Sequence, residues 1–136
     1  MTTDTTALLY LRAARSSDAA IAEQRRLCTD HAKARGWRVL DIVVDNGAGG
    51  ATEPKGLTIL RERIASGEAQ AVIATDLSRI SRDPERLRAF ARFCRQHGAD
   101  LCFAEHGVNL DALIREADGA EAAGDDSLYA AREIRQ

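Results

Sequence analysis

The sequence has no paired cysteines. Cys28, Cys94 and Cys102 are an odd set, far apart and without a CxxC spacing. That usage predicts reduced, mostly buried thiols and a cytoplasmic protein rather than a disulfide scaffold. The three histidines, His31, His97 and His106, form no ligand-spaced cluster, so the expectation is no metal and no cofactor. Charge of one sign is also missing. There are 19 Lys and Arg against 21 Asp and Glu, a net charge of −2. No global basic field advertises nucleic acid, so any such contact must be a local patch. No apolar run approaches the length of a transmembrane helix, and the polar opening lacks the core of a signal peptide, so no membrane partner is expected. No internal repeat is visible.

What is present suits a folded domain. The chain has 136 residues, 45% of them hydrophobic and 29% charged. That is enough for one domain with a real core and too few for two. Ala7-Leu8-Leu9-Tyr10-Leu11-Arg12 reads as a first strand. Ser17 or Asp18 can cap the helix that follows, on which Ile21, Gln24, Leu27, Cys28 and His31 share one face before a stop at Gly36. A second strand covers Val39, Leu40, Ile42, Val43 and Val44. A glycine-rich loop, 45–56, leads to a short helix with Leu57, Leu60 and Ile64 that stops at Gly67. A third strand starts at Ala71. A helix from Pro84 buries Leu87, Phe90 and Cys94 and ends at Gly98, before a fourth strand at Leu101-Cys102-Phe103-Ala104. Strands alternating with helices predict an α/β fold: a mostly parallel four-stranded sheet with helices on both faces. Residues 1–111 read as this domain. Residues 112–136 read as a short acidic segment, partly flexible, with one or two helical turns at 112–116.

The chain is organised around Asp76-Leu77-Ser78-Arg79-Ile80-Ser81-Arg82-Asp83. The stretch lies at the C-terminal end of the third strand, where open α/β sheets place ligands. Asp83-Pro84-Glu85 then reads as a helix start. In a helical turn Arg79 and Arg82 point the same way. Two converging guanidiniums form a clamp for a phosphate; the same spacing also suits two solvated arginines in a polar loop. A nucleotide-binding reading of the loop 46–50 lacks both a G-x-G-x-x-G after the first strand and a Walker lysine.

Three ordered stretches resemble the catalytic domain of serine recombinases of the resolvase/invertase type. Tyr10-Leu11-Arg12 is similar to the family's opening Tyr-x-Arg. Leu77-Ser78-Arg79-Ile80-Ser81-Arg82 resembles its Leu-Asp-Arg-Leu-x-Arg. Gly49 and Lys55-Gly56-Leu57 resemble its glycine-rich segment, and Gln24-Arg25 falls where the family has a Gln-Arg pair. The resemblance implies DNA strand exchange by metal-free phosphoryl transfer, in which a serine attacks a backbone phosphate. Arginines suit the charge that concentrates on the non-bridging oxygens. Carried over by position, Arg12, Arg79 and Arg82 hold the phosphate. Arg63 replaces a supporting lysine, and Gln24 orients the first loop or a phosphate oxygen.

The departures are as informative. The resemblance puts the nucleophile at Ala14, which has no hydroxyl. Ser78 stands where an acid precedes the first clamp arginine, and Pro54 where a loop arginine belongs. No equivalent of the family's long helix after the fourth strand is expected, nor a DNA-binding domain. Losing a nucleophile alone costs on the order of 10⁶ in rate in a hydrolase. The expectation is a catalytically impaired or inactive relative that retains the clamp. Its partner is DNA, bound weakly and non-specifically, or a full-length recombinase, and the chain itself is a monomer or weak dimer. Two alternatives stay open: an active recombinase with Ser16 as a displaced nucleophile, in place of helix capping by Ser16 and Ser17, and a non-catalytic partner-binding module.

Overall fold

A computed structural model describes residues 5–47, 53–105 and 114. Strand β1, Thr6–Ala13, is apolar and buried along nearly its whole length. That is what a strand covered on both faces of a parallel sheet requires. It is followed by α1 (Asp18–Ala34), β2 (Arg38–Asn46), α2 (Lys55–Ala65), β3 (Ala71–Ala74), a single turn α3 (Leu77–Ile80), α4 (Pro84–Gln96) and β4 (Asp100–Phe103). The four strands form one sheet in the order β2-β1-β3-β4, and each neighbouring pair is parallel. The single-domain α/β fold read from the sequence is therefore the fold observed.

Local chemistry sets the helix ends. The Ser17 hydroxyl accepts from the Ala20 amide at 3.1 Å and starts α1. Asp83 accepts from the Glu85 amide at 3.0 Å, and Pro84 fills the first helical position of α4. Gly36 and Gly98 stop α1 and α4 with φ of 73° and 70°, values that L side chains rarely adopt.

The alternation of side chains along the strands builds two cores. Leu8, Tyr10, Val72, Leu101 and Phe103 face α2 and α4, where Leu57, Leu60, Ile64, Phe90 and Cys94 meet them. Ala7, Leu9, Leu11, Ala71 and Ile73 face α1, packed on Cys28 and Ala32. Each fully buried Leu, Ile or Phe here stabilises the fold by about 1.5–3 kcal/mol relative to exposure. The three cysteines are free and buried, as expected. Burial pushes the Cys28 and Cys94 thiols up to about 12 and Cys102 up to about 11. No helix among the described residues is long and apolar enough to cross a membrane. Most of 106–136 lies outside the described residues. Ile114, within the turns expected at 112–116, is helical and packs against the α2–α4 core.

The strands end at different heights. β1 pairs with β3 only from Ala7 to Leu9, but with β2 as far as Ala13, opposite Asn46. The last residues of β1 therefore have no strand on the β3 side. The chain also reverses direction across the sheet here, with β2 on one side of β1 and β3 on the other. Open α/β sheets place ligands outside the strand ends at such a switch point.

Candidate functional site

Parity decides where Arg12 goes. Leu8 and Tyr10 face α2 and α4, so period two puts Arg12 on that face as well. Past the end of β3 it reaches not the core but a cleft of about 450 Å³. Ser78, Arg79, Ile80, Ser81, Arg82 and Asp83 form one wall and α4 adds Arg86. Glu53, Pro54 and Leu57 form another, and Ala14 lines the cleft as well. Among the described residues this lining carries four arginines against two carboxylates, an excess of positive charge on a chain whose net charge is −2. Such a local field favours anions.

The backbone of Arg12 is held where β3 has ended. Gln24, on α1 and 3% exposed, accepts from the Arg12 amide at 3.0 Å and donates its own amide to the Arg12 carbonyl at 2.9 Å. This side chain replaces the missing strand, so two backbone groups that could not be left bare are satisfied. Arg79 Nη1 donates to the same carbonyl at 3.1 Å and so joins the end of β1 to α3.

Asp76 caps α3. Its Oδ1 accepts from the Ser78 amide at 3.0 Å and, in a very short bond, from the Ser78 hydroxyl. Its Oδ2 lies 3.4 Å from Arg79 Nε and accepts from the Thr75 hydroxyl at 3.2 Å. Burial pushes the Asp76 carboxyl up. The Ser78 hydroxyl, the Arg79 charge, and the Thr75 hydroxyl and Ser78 amide outweigh it and hold the group below the usual carboxylate range.

A second half-buried carboxylate fixes the opposite wall. Asp45 accepts from the Tyr10 hydroxyl at 2.5 Å and from the Gly56 amide at 2.9 Å. The α2 N-cap, Pro54, has no capping side chain, so Asp45 caps this helix from the end of β2. A Cβ on Gly56 would lie 2.3 Å from Asp45 Oδ2 and 2.7 Å from Tyr10 Cε1. The glycine of Lys55-Gly56-Leu57 is thus a packing requirement. Arg61 of α2 pairs with Glu53 and stacks over Phe90 at 5.4 Å, tying this wall to α4.

Arg12, Arg79 and Arg82 line one cleft. Gln24 stands behind it, on the backbone of Arg12. Arg63 is not brought there: it bonds Asp41 at 2.6 Å and Glu68 at 2.9 Å. Ser17 caps α1, while Ser16 lies against Gly47 and is not part of the cleft lining; a Cβ on Gly47 would be 3.5 Å from the Ser16 Cβ. Gly49 falls outside the described residues. Sequence reasoning missed Arg86, Asp76 and Asp45. Arg86 had one usable signal, a position one helical turn after Arg82.

Residues 7–121 match the family model described as "Resolvase, N terminal domain". The chain belongs to the resolvase N-terminal-domain family. Solved structures share the fold of this resolvase domain. The N-terminal catalytic domain of TP901-1 integrase is 20% identical, with a TM-score of 0.77 over 89% of this chain and 100% of that one. A resolvase-family site-specific recombinase from Streptococcus pneumoniae is 17% identical, with a TM-score of 0.70 over 98% of this chain and 100% of that one. The C-terminal catalytic domain of ISC1926 TnpA, an IS607-like serine recombinase, is 21% identical, with a TM-score of 0.67 over 87% and 80%. No curated protein matches the chain. The chain is thus a resolvase N-terminal-type domain that shares the fold of these recombinase catalytic domains.

Proposed function

We propose that this resolvase domain binds a DNA backbone phosphate in the arginine cleft without cutting the strand. One observation carries the reading: Arg12, Arg79 and Arg82 line the same cleft as Ala14, a methyl group at the position where the resemblance puts the nucleophile. Attack on phosphorus needs a nucleophilic oxygen in line with the leaving oxygen and about 3 Å away. Ala14 offers none. Ser16 lies beside Gly47 and is not among the residues that line the cleft. Ser78 and Ser81 do line the cleft, but each hydroxyl is engaged. Ser78 donates to Asp76, and Ser81 accepts from the Asp83 amide at 3.0 Å.

Binding draws on donors that are already in place. Arg79 has five N–H donors, of which Nε and one on Nη1 are held by Thr75, Asp76 and the Arg12 carbonyl. The Nη2 edge has no such tie among the described residues and serves the anion. Arg82 and Arg86 add charge from the start of α4. The partner is DNA, or DNA already held by a full-length recombinase beside which this chain sits as a monomer or weak dimer.

The test is fluorescence anisotropy with labelled duplex DNA across a salt series, paired with a denaturing gel after incubation with nicked DNA. A three-arginine clamp gives weak, sequence-independent binding with a log–log salt slope of about −3 or smaller, lost in Arg79→Ala. No covalent adduct forms. An adduct that disappears in Ser16→Ala but persists in Ser17→Ala establishes the displaced nucleophile instead.

A further inference from the structure

We propose that Asp76 is the positioning acid of the cleft. It sets the Arg79 guanidinium for the anion from two residues upstream of Ser78, the position at which the resemblance puts an acid. The inference rests on the anion-clamp reading above.

Both Asp76 oxygens are committed. One is anchored by the Ser78 amide and hydroxyl; the other faces Arg79 Nε at 3.4 Å and takes the Thr75 hydroxyl at 3.2 Å. The Asp76 side chain is only 20% exposed, so solvent screens its charge poorly. Arg79 is then held at two places: Nε by Asp76 and Thr75, and Nη1 by the Arg12 carbonyl at 3.1 Å. Two contacts on a planar guanidinium fix its plane and aim its remaining edge. A donor ordered in advance loses less freedom when the anion arrives.

Ser78 fits this arrangement and an acid there does not. Two carboxylates at 76 and 78 would face each other across one turn, and one of them would be driven to take up a proton. A hydroxyl at 78 instead donates to Asp76 and anchors it. The carboxylate is displaced by two residues, and serine turns the vacated position into its support.

The experiment compares the wild-type chain with Asp76→Asn, with the transposed pair Asp76→Ser/Ser78→Asp, and with Arg79→Ala. The readouts are anisotropy with a labelled oligonucleotide at low salt and the Arg79 Nε–Hε signal by NMR. Asp76→Asn is expected to weaken binding about three- to tenfold and to broaden the Nε–Hε signal. The transposed pair is expected to restore both; a purely structural cap predicts no loss in Asp76→Asn, because asparagine caps a helix as well as aspartate does. Full affinity and an unchanged signal in Asp76→Asn overturn the proposal, as does a transposed pair that recovers neither. If Arg79→Ala binds as well as wild type, the clamp reading itself falls; if Arg79→Ala loses binding while Asp76→Asn keeps it, only the positioning role falls. Should Asp76→Asn fail to fold, Ser78→Ala removes the hydroxyl anchor alone. It is expected to lose part of the affinity, and no loss overturns the proposal.

Discussion

Changing Gly56→Ala sets a propensity gain against a collision. Alanine is favoured over glycine within a helix by up to about 1 kcal/mol. Here the new Cβ would lie 2.3 Å from Asp45 Oδ2, 2.7 Å from Tyr10 Cε1 and 3.0 Å from Val43 Cγ1. None of these neighbours can step aside cheaply. The Tyr10 ring is fully buried, and Asp45 is held by the Tyr10 hydroxyl at 2.5 Å and the Gly56 amide at 2.9 Å. Overpacking of this kind costs about 1–3 kcal/mol. Weakening hydrogen bonds to a charged carboxylate costs about 1.5–3 kcal/mol more. The collision outweighs the propensity, for a net loss of about 1.5–5 kcal/mol. In a domain of this size that lowers Tm by about 10 °C. Urea unfolding of the full chain, followed by circular dichroism with a check for an unchanged m value, measures the loss. The exposed neighbour Lys55→Ala serves as control and should stay within about 0.5 kcal/mol of wild type. A Gly56→Ala chain as stable as wild type would show that the Asp45–Tyr10–Gly56 contact does not hold α2. Because Pro54 and Leu57 line the cleft, the same variant should also bind DNA more weakly.

Gln24→Leu removes the Gln24 acceptor from the Arg12 amide while Arg79 keeps the carbonyl, so stability should fall by about 1–3 kcal/mol and DNA binding should weaken; calorimetry showing no loss would refute the strap. Burial first, and Asp45 as acceptor second, hold the Tyr10 phenol above its ordinary range. The folded chain keeps a proton that the unfolded chain releases near pH 10, so this stabilisation is whole below about pH 10 and is lost as pH rises from there towards the folded value. Absorbance at 295 nm should show Tyr10 ionising only with unfolding; ionisation near pH 10 in a chain whose circular dichroism is intact would contradict this. Cys28, Cys94 and Cys102, buried and with raised thiol pKa values, should resist a thiol reagent at neutral pH and react together in denaturant. Rapid labelling of any one of them in the folded chain would mean that its core opens. Ala14→Ser, at an exposed position on the cleft, should shift stability by no more than about 0.5 kcal/mol in thermal melts; a larger loss would mean that position 14 helps hold the end of β1.

Features that were legible in the sequence act over short distances along the chain. The apolar runs Ala7 to Leu11 and Leu101 to Ala104 marked strands. Gly36 and Gly98 marked helix ends, and Asp83-Pro84 marked a helix start. Arg12 was legible because it ends an apolar run, and Arg79 and Arg82 because they follow one. What stayed hidden joins residues far apart. Gln24 bonds backbone atoms of Arg12, and its task exists only because β3 stops at Ala74 while β1 runs on to Ala13. Asp45, Tyr10 and Gly56 meet across three elements, with no shared period to betray them. Asp76 reads as an ordinary helix cap until its second oxygen is found at Arg79. Arg63 carries the right charge for a site residue, yet α2 delivers it to Asp41 and Glu68.

The ties that build the cleft do not depend on the residue at position 14. Gln24 holds the Arg12 backbone, Asp76 and Thr75 hold Arg79, and Asp45 holds the start of α2. None of these bonds runs through Ala14, whose side chain is exposed at the cleft. A hydroxyl at that position would serve chemistry and not packing, so its replacement by a methyl group costs the fold little. Each tie, by contrast, is buried or half-buried, and breaking it leaves a polar group short of a partner. The supports of Arg12 and Arg79 are therefore independent of the side chain at position 14, and a change there tests chemistry at the cleft without disturbing the fold.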